Sequence, residues 1–505
     1  MKLVGTLAAL GVAALSVAQY AGVKPVPRAY KPGFATITEA SAKDILTFLA
    51  GPDFKGRSPR TYDYMAAAGW VAGELHALGL KPGGDAGSYF QYFTLQDVIL
   101  LPEETSLTLP DGTVVPYGPQ FSCTASEDAD GEVQFAFLRA PQGSEPGKLD
   151  LRALKGRWLM FNSAEVRAHA AFYADLMANK PYYGFKGVIT VVPDGDRKPT
   201  PRLDKRVKDA PDPREMPATS ITITESIAQR IIAKAGVESY INPNLTIASL
   251  ETPDAPAKLK TKSKVTGELV TANVVGVLEG DDPVLKSEAV MVGSHLDHVG
   301  VRNGQTYFGA DDNASGCTAN LLMARAFVAN PMKPKRSVVF AFYSLEEEGT
   351  FGSWAYVSRP AVPMASVIAN VNMDMLGRNE EGRGEDPANN TKAVYPGIAK
   401  LNSTDLYDLV VANNAYIGLE LREDKEDRTD RSDTRNTVLF NIPTLKAFTG
   451  EHKDYHRPGD TPDKINWEKF TNIARWLYLC AQDLANRPDK PRFERRRFVA
   501  TPPKG

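Results

Sequence analysis

The stretch Ala289-Val290-Met291-Val292-Gly293-Ser294-His295-Leu296-Asp297 decides the fold. Its apolar run is strand-length rather than helix-length, and it ends on a histidine and a carboxylate. Residues 274–278, 337–344 and 367–373 have the same texture. Between these runs the period changes: Cys317, Leu321, Ala324 and Val328 have helical spacing behind the Asp311-Asp312 turn. Near the end, Asn466 is placed to cap a helix carrying Phe470, Ile473, Leu477, Cys480 and Leu484, closed by Arg487-Pro488. Strands alternating with helices predict an α/β fold, with a mixed, largely parallel sheet sandwiched by helices.

Upstream, Ser41 is a candidate N-cap for a short amphipathic helix carrying Ile45, Leu46, Phe48 and Leu49. A second helix is expected over residues 62–78, stopped by Gly79 and Pro82. Residues 108–262 change to short β-like runs joined by connections rich in Pro, Gly and charge, which reads as an insertion. Residues 1–18 combine Lys2, an apolar stretch from Leu3 to Leu15, and Ser16 and Ala18 before Gln19, the pattern of a secretory signal peptide. The expected organisation is a signal peptide over 1–18, an N-terminal part over 19–107, the insertion over 108–262, the main domain over 263–490 and a tail over 491–505.

At 505 residues, 43% hydrophobic and 24% charged, the chain has the composition of a large globular protein. A net charge of -2 argues against nucleic acid as a partner, and no later segment offers a membrane span. Cys123, Cys317 and Cys480 are too few and too scattered for a disulfide framework or a cysteine zinc site.

Chemistry gathers where strands end. Four of the six histidines, His295, His298, His452 and His456, fall in the α/β region. Asp311-Asp312 precedes a helix, Glu346-Glu347-Glu348 comes after one strand and Asp374 ends another. Ligands collect outside the carboxyl ends of strands in open α/β sheets, so these residues can converge. Crowded carboxylates repel unless cations compensate them, and two imidazoles with three carboxylates suffice for two divalent ions if one carboxylate bridges. Imidazole with carboxylate suits zinc best, with manganese or cobalt as substitutes.

The ordered set His295-Leu296-Asp297, Gly309 to Gly316, Glu346 to Ser353, Asn372-Met373-Asp374-Met375 and Tyr455-His456-Arg457-Pro458-Gly459-Asp460-Thr461 resembles the co-catalytic di-zinc exopeptidases of the leucyl aminopeptidase and glutamate carboxypeptidase type, clan MH. The segments Gly56-Arg57 and Leu78 to Pro82 are similar to that family's entry region, and the insertion resembles a protease-associated domain. The resemblance implies a zinc-exopeptidase fold in which His295, Asp312 and Asp374 bind one zinc, and Asp312, Glu347 and His456 the other. It further implies a cis peptide at Asp312-Asn313, Asp297 orienting His295, Glu346 as general base and Tyr455 as a polariser of the scissile carbonyl. His298 and His452 stay outside the implied ligand set. Ser432-Asp433 is followed by Thr434 where many relatives have His, which removes a substrate contact from the pattern.

The activity implied is that of a secreted or periplasmic aminopeptidase, attacking peptides through a hydroxide shared by two Zn2+. A carboxypeptidase or dipeptidase with the same centre, a single-zinc cyclase and a non-catalytic receptor-like relative are the alternatives.

Overall fold

A computed structural model describes residues 19–494 apart from 126, 162–164, 179–182, 211–219, 242–243, 398 and 424–430. The expected signal peptide, and the tail from 495 onward, lie outside the described residues. The main sheet runs in the order Leu203–Val207, Phe90–Leu100, Ser263–Leu278, Ser337–Tyr343, Ala289–His295, Val367–Met373, Thr444–Ala447, with Lys81–Pro82 added against Ser263–Leu278. It is mixed, as expected, but its parallel pairs are confined to one half: Ala289–His295 lies parallel to both neighbours, and Val367–Met373 parallel to Thr444–Ala447. The strands on the other side pair antiparallel.

The unbroken apolar run of Ala289–His295 has a simple cause, because both faces of the strand are covered. Val290 and Val292 pack with the helices Gly316–Ala329 and Trp467–Asn486. Ala289 and Met291 point the other way, toward Tyr356 and Val357 of the helix Phe351–Ser358. Each of the fully buried Val290, Val292 and Met291 side chains contributes about 1.5–3 kcal/mol. The sandwich fixes the strand, and with it the position of His295 at its carboxyl end. The terminal helix starts as expected, Asn466 accepting a hydrogen bond from the Lys469 amide. The first amphipathic helix does not: Thr38 caps Glu39–Leu49, and Ser41 is its N3 residue, closing a reciprocal capping box.

Segment 108–262 contributes most of two further sheets. One has six strands, including Phe135–Arg139, Trp158–Phe161 and Gly187–Val192; the other has four, including Ala129–Val133 and Ala257–Thr261. Phe121, Phe135, Phe137, Trp158 and Ile221 share a core of their own there. The segment is nevertheless not self-contained. Its strand Leu203–Val207 crosses back to pair with Phe90–Leu100 at the edge of the main sheet.

Candidate metal centre

His295 is the last residue of its strand, 1% exposed, and Asp374 comes directly after the neighbouring strand Val367–Met373. Asp312 reaches the same place from the turn before Gly316–Ala329. That turn is held tightly: the Asp460 carboxylate accepts hydrogen bonds from the amides of Asp311 and Asp312. Asn313 donates to the Met373 carbonyl at 2.9 Å and accepts from the Gly316 amide at 2.9 Å, tying Asp312 to the strand that delivers Asp374. Gly309 lies at φ +58, and a Cβ there would stand 2.1 Å from the Asp312 carbonyl, so only glycine fits. The Asp312-Asn313 peptide is cis.

The cluster has two halves that share Asp312. His295 Nε2 lies 3.4 Å from Asp312 Oδ1 and 3.4 Å from Asp374 Oδ1. His456 Nε2 lies 3.0 Å from Asp312 Oδ2 and 2.9 Å from Glu347 Oε2. Asp311, by contrast, turns away; its carboxylate accepts from the Gly377 amide and lies 3.3 Å from His452, which stands outside the cluster. The three glutamates beyond the strand Ser337–Tyr343 also diverge. Glu347 joins the cluster, Glu346 approaches His295 at 3.9 Å, and Glu348 points outward to Arg60 and Lys205.

Two side chains sit differently from expectation. The Asp297 carboxylate does not take the His295 imidazole. His295 Nδ1 lies 3.1 Å from the Asp297 backbone carbonyl, and 3.9 Å from the carboxylate. That carboxylate instead accepts the amides of Glu346 at 3.1 Å and Glu347 at 3.4 Å, so it holds the glutamate turn. His298, left outside the ligand set by its sequence, stands within the cluster: its Nδ1 is 2.6 Å from Glu347 Oε1 and 3.8 Å from Asp312 Oδ2. Its one sequence signal is its position three residues after His295 in the same loop. Tyr455 stacks on His456 with ring centroids 3.9 Å apart and lines the open space in front of the cluster, as does Glu346.

The electrostatics result from packing like charges out of water. Burial pushes the Asp297 carboxyl up to about 8 and raises Glu346 well above the usual carboxylate range, with Asp374 and Asp433 adding to the effect on Glu346. Burial opposes charge on the imidazoles too, but their carboxylate neighbours outweigh it: His295 is held well above its ordinary value and His456 is pushed up to about 10. Asp312 is lowered well below the usual range, because His295 and His456 overcome the desolvation. Protonated His295 and His456, with Lys446 beside Asp374, are thus the cations that face the carboxylates. Asp312 Oδ2, despite its approach to His456, is buried without an aligned hydrogen bond from a described residue, and so is His298 Nε2. Ligand atoms about 2.0–2.1 Å from a tetrahedral zinc stand about 3.3–3.4 Å apart, which the His295 half already approaches. The donor set and its spacing fit a pair of divalent ions.

The profile of Peptidase family M28 matches residues 273–480, a span that contains every member of this cluster. Residues 273–480 are a peptidase family M28 domain. Over 188 residues the chain is 27% identical to a "Probable aminopeptidase" of Saccharomyces cerevisiae, covering 35% of this chain and 48% of that one. It is 31% identical over 150 residues to "Leupeptin-inactivating enzyme 1" of Streptomyces exfoliatus, covering 30% and 31%. The chain therefore spans half or less of the length of these relatives. Among solved structures, an aminopeptidase from Aneurinibacillus sp. strain AM-1 superposes with a TM-score of 0.46 at 19% identity, covering 92% of this chain and 98% of that one.

The M28 domain's loops lean on a residue outside the matched span. Arg57 is fully buried and donates to the carbonyls of Leu49, Leu296, Phe308 and Gly309 at 2.8–2.9 Å. It thereby joins the His295 loop to the turn that carries Asp312. Arg57→Met keeps the apolar stem and strands these carbonyls. Because an unsatisfied buried acceptor costs about 1–3 kcal/mol, the variant is expected to lose at least about 3 kcal/mol in chemical denaturation. A loss below about 1 kcal/mol would show that the loops hold without the arginine.

Proposed function

We propose that this chain is a zinc-dependent aminopeptidase, exported from the cell, that hydrolyses the first peptide bond of its substrates. The observation that carries this reading is Asp312, which turns one carboxylate oxygen toward His295 and the other toward His456. His295 and Asp374 would hold one ion, His456 and Glu347 the other, with Asp312 common to both. Zinc held there supplies Lewis-acid chemistry, polarising a carbonyl and making water nucleophilic near neutral pH. Glu346, lining the pocket beside His295, accepts the proton from the attacking water and returns it to the departing amine. Asp297 keeps Glu346 and Glu347 in register by holding both of their amides. Tyr455, stacked on His456 and lining the same pocket, is assigned to the carbonyl oxygen of the bond being cut.

The choice of chain end comes from charge. Beyond the charge-balanced pair Arg431–Glu451, Glu346 and Asp374 line the pocket, and carboxylates favour a substrate's free ammonium over a terminal carboxylate. The Saccharomyces cerevisiae relative, named a probable aminopeptidase, supports the same choice. Metal analysis of the purified protein is expected to give two ions per chain, and a chelator to abolish turnover that added zinc restores. A leucyl anilide is expected to be cleaved and its N-acetyl form spared. Equal rates on the two forms, or residues released from the carboxyl end of a peptide, would defeat the reading.

Export rests on the apolar stretch from Leu3 to Leu15. It predicts mature protein beginning at Gln19 outside the cytoplasm, checked by N-terminal sequencing. Among the described residues no helix is long and apolar enough to cross a membrane. We assign residues 108–262, apart from the strand Leu203–Val207, to a protease-associated domain.

A further inference from the structure

The pocket in front of the cluster holds a cation that the proposed chemistry does not use. Lys446 lies in Thr444–Ala447, the edge strand of the parallel half, and is 5% exposed. Its Nζ stands 3.4 Å from Asp374 Oδ2 and 5.4 Å from the centre of the Phe448 ring. Among the described residues Asp374 is its ion-pair partner, and a single carboxylate oxygen leaves donors of the ammonium, which carries three, to be met. Besides the cluster, the pocket is lined by Met375, Arg431, Lys446, Phe448, Glu451 and Tyr455. Arg431 and Glu451 approach each other at 3.4 Å, so between them the rim is charge-balanced. Lys446 is the cation left in the interior of the lining.

The geometry points to Lys446 as a specificity-determining residue that reads a carboxylate on the first residue of the substrate, so that the pocket prefers N-terminal Glu or Asp. The inference rests on the aminopeptidase reading. A substrate whose scissile carbonyl lies at the His295 cluster carries its first side chain into the same small cavity. A neutral apolar side chain there would displace water and leave the ammonium's donors unmet, whereas a side-chain carboxylate meets them. Met375 and the Phe448 ring provide an apolar wall for the methylenes of Glu. The pocket carboxylates take the α-ammonium, and the lysine takes the opposite charge. A bland alternative gives Lys446 only the task of neutralising Asp374 and the buried Asp433.

The test uses the full zinc-loaded protein and four anilides, of Glu, Gln, Leu and Met. Glu is expected to exceed its isostere Gln in kcat/KM by at least about tenfold, a typical worth for a hydrogen bond to a charged group. Lys446→Met should reverse that order and favour Leu and Met; Lys446→Arg should keep it. Equal Glu and Gln rates in the wild type would overturn the inference, as would a Lys446→Met variant that slows all four anilides in proportion, the result of a purely neutralising lysine. Comparing Leu-Gly with its C-terminal amide separates the other source of a carboxylate: a Lys446-dependent preference for the free acid there would also overturn it. Thermal stabilisation by free glutamate against glutamine gives a readout independent of turnover. Greater stabilisation by glutamate, lost in Lys446→Met, supports the inference even if no anilide is cut, an outcome that would instead sink the aminopeptidase reading. Equal stabilisation by both amino acids overturns the inference alone.

Discussion

Glu346→Gln is expected to lower kcat by about 10²–10⁴-fold while metal content and folding stay as in the wild type. The substitution keeps the shape of the side chain and removes only its capacity to carry a proton. The surroundings of Glu346 allow so narrow a change. Its position is set by its own amide, which the Asp297 carboxylate accepts at 3.1 Å, and that bond does not depend on the side chain. Neighbouring Glu347 is held by a second amide on the same carboxylate, and by His298 and His456. The loss should appear in kcat with KM nearly unchanged, because the missing proton transfer belongs to the transition state rather than to ground-state binding. A variant within tenfold of wild-type turnover would show that the proton travels by another route. A variant that had shed its metal would show that Glu346 belongs to the ligand set beside His295 and Asp374, with which it forms a close group of three.

Much of the centre is legible in the sequence, because a buried strand ends where its apolar run ends. His295 and Asp374 stand at or just past such ends. Asp312 stands out because the glycines around it serve a tight turn, and Asn466 because caps are local chemistry. Past the end of a strand this legibility fails. A period of two would point Asp297 back toward His295, two residues earlier. The strand stops at His295, however, and in the loop beyond it the alternation no longer holds. His298 escapes for the same reason: loop direction is set by contacts with Glu347, some fifty residues away. The strand Leu203–Val207 pairs with residues about a hundred positions earlier, and its charged sequence carries no apolar signature of the main sheet. Lys446 is visible as a charge within a buried strand, but only the fold shows which cavity it enters.

Asp312→Ala should cost both ions at once, where His456→Ala should cost chiefly one. The difference is a consequence of position: Asp312 faces His295 with Oδ1 and His456 with Oδ2, while His456 touches only its own half through Asp312 and Glu347. Without Asp312 each half keeps one imidazole and one carboxylate of its proposed ligands, fewer protein donors than the three that catalytic zinc sites usually have. Unfolding monitored with and without added zinc makes the prediction quantitative. An ion that binds only the folded chain stabilises it by about 2.7 kcal/mol at one hundred times its Kd. The wild type should show this increment for each of two sites, His456→Ala for one, and Asp312→Ala for neither. Metal analysis should give the same order, and turnover should be lost in the last variant. Full occupancy in Asp312→Ala would mean that each half closes its own site, and the carboxylate with one oxygen toward each imidazole would then be an ordinary buried ion-pair partner.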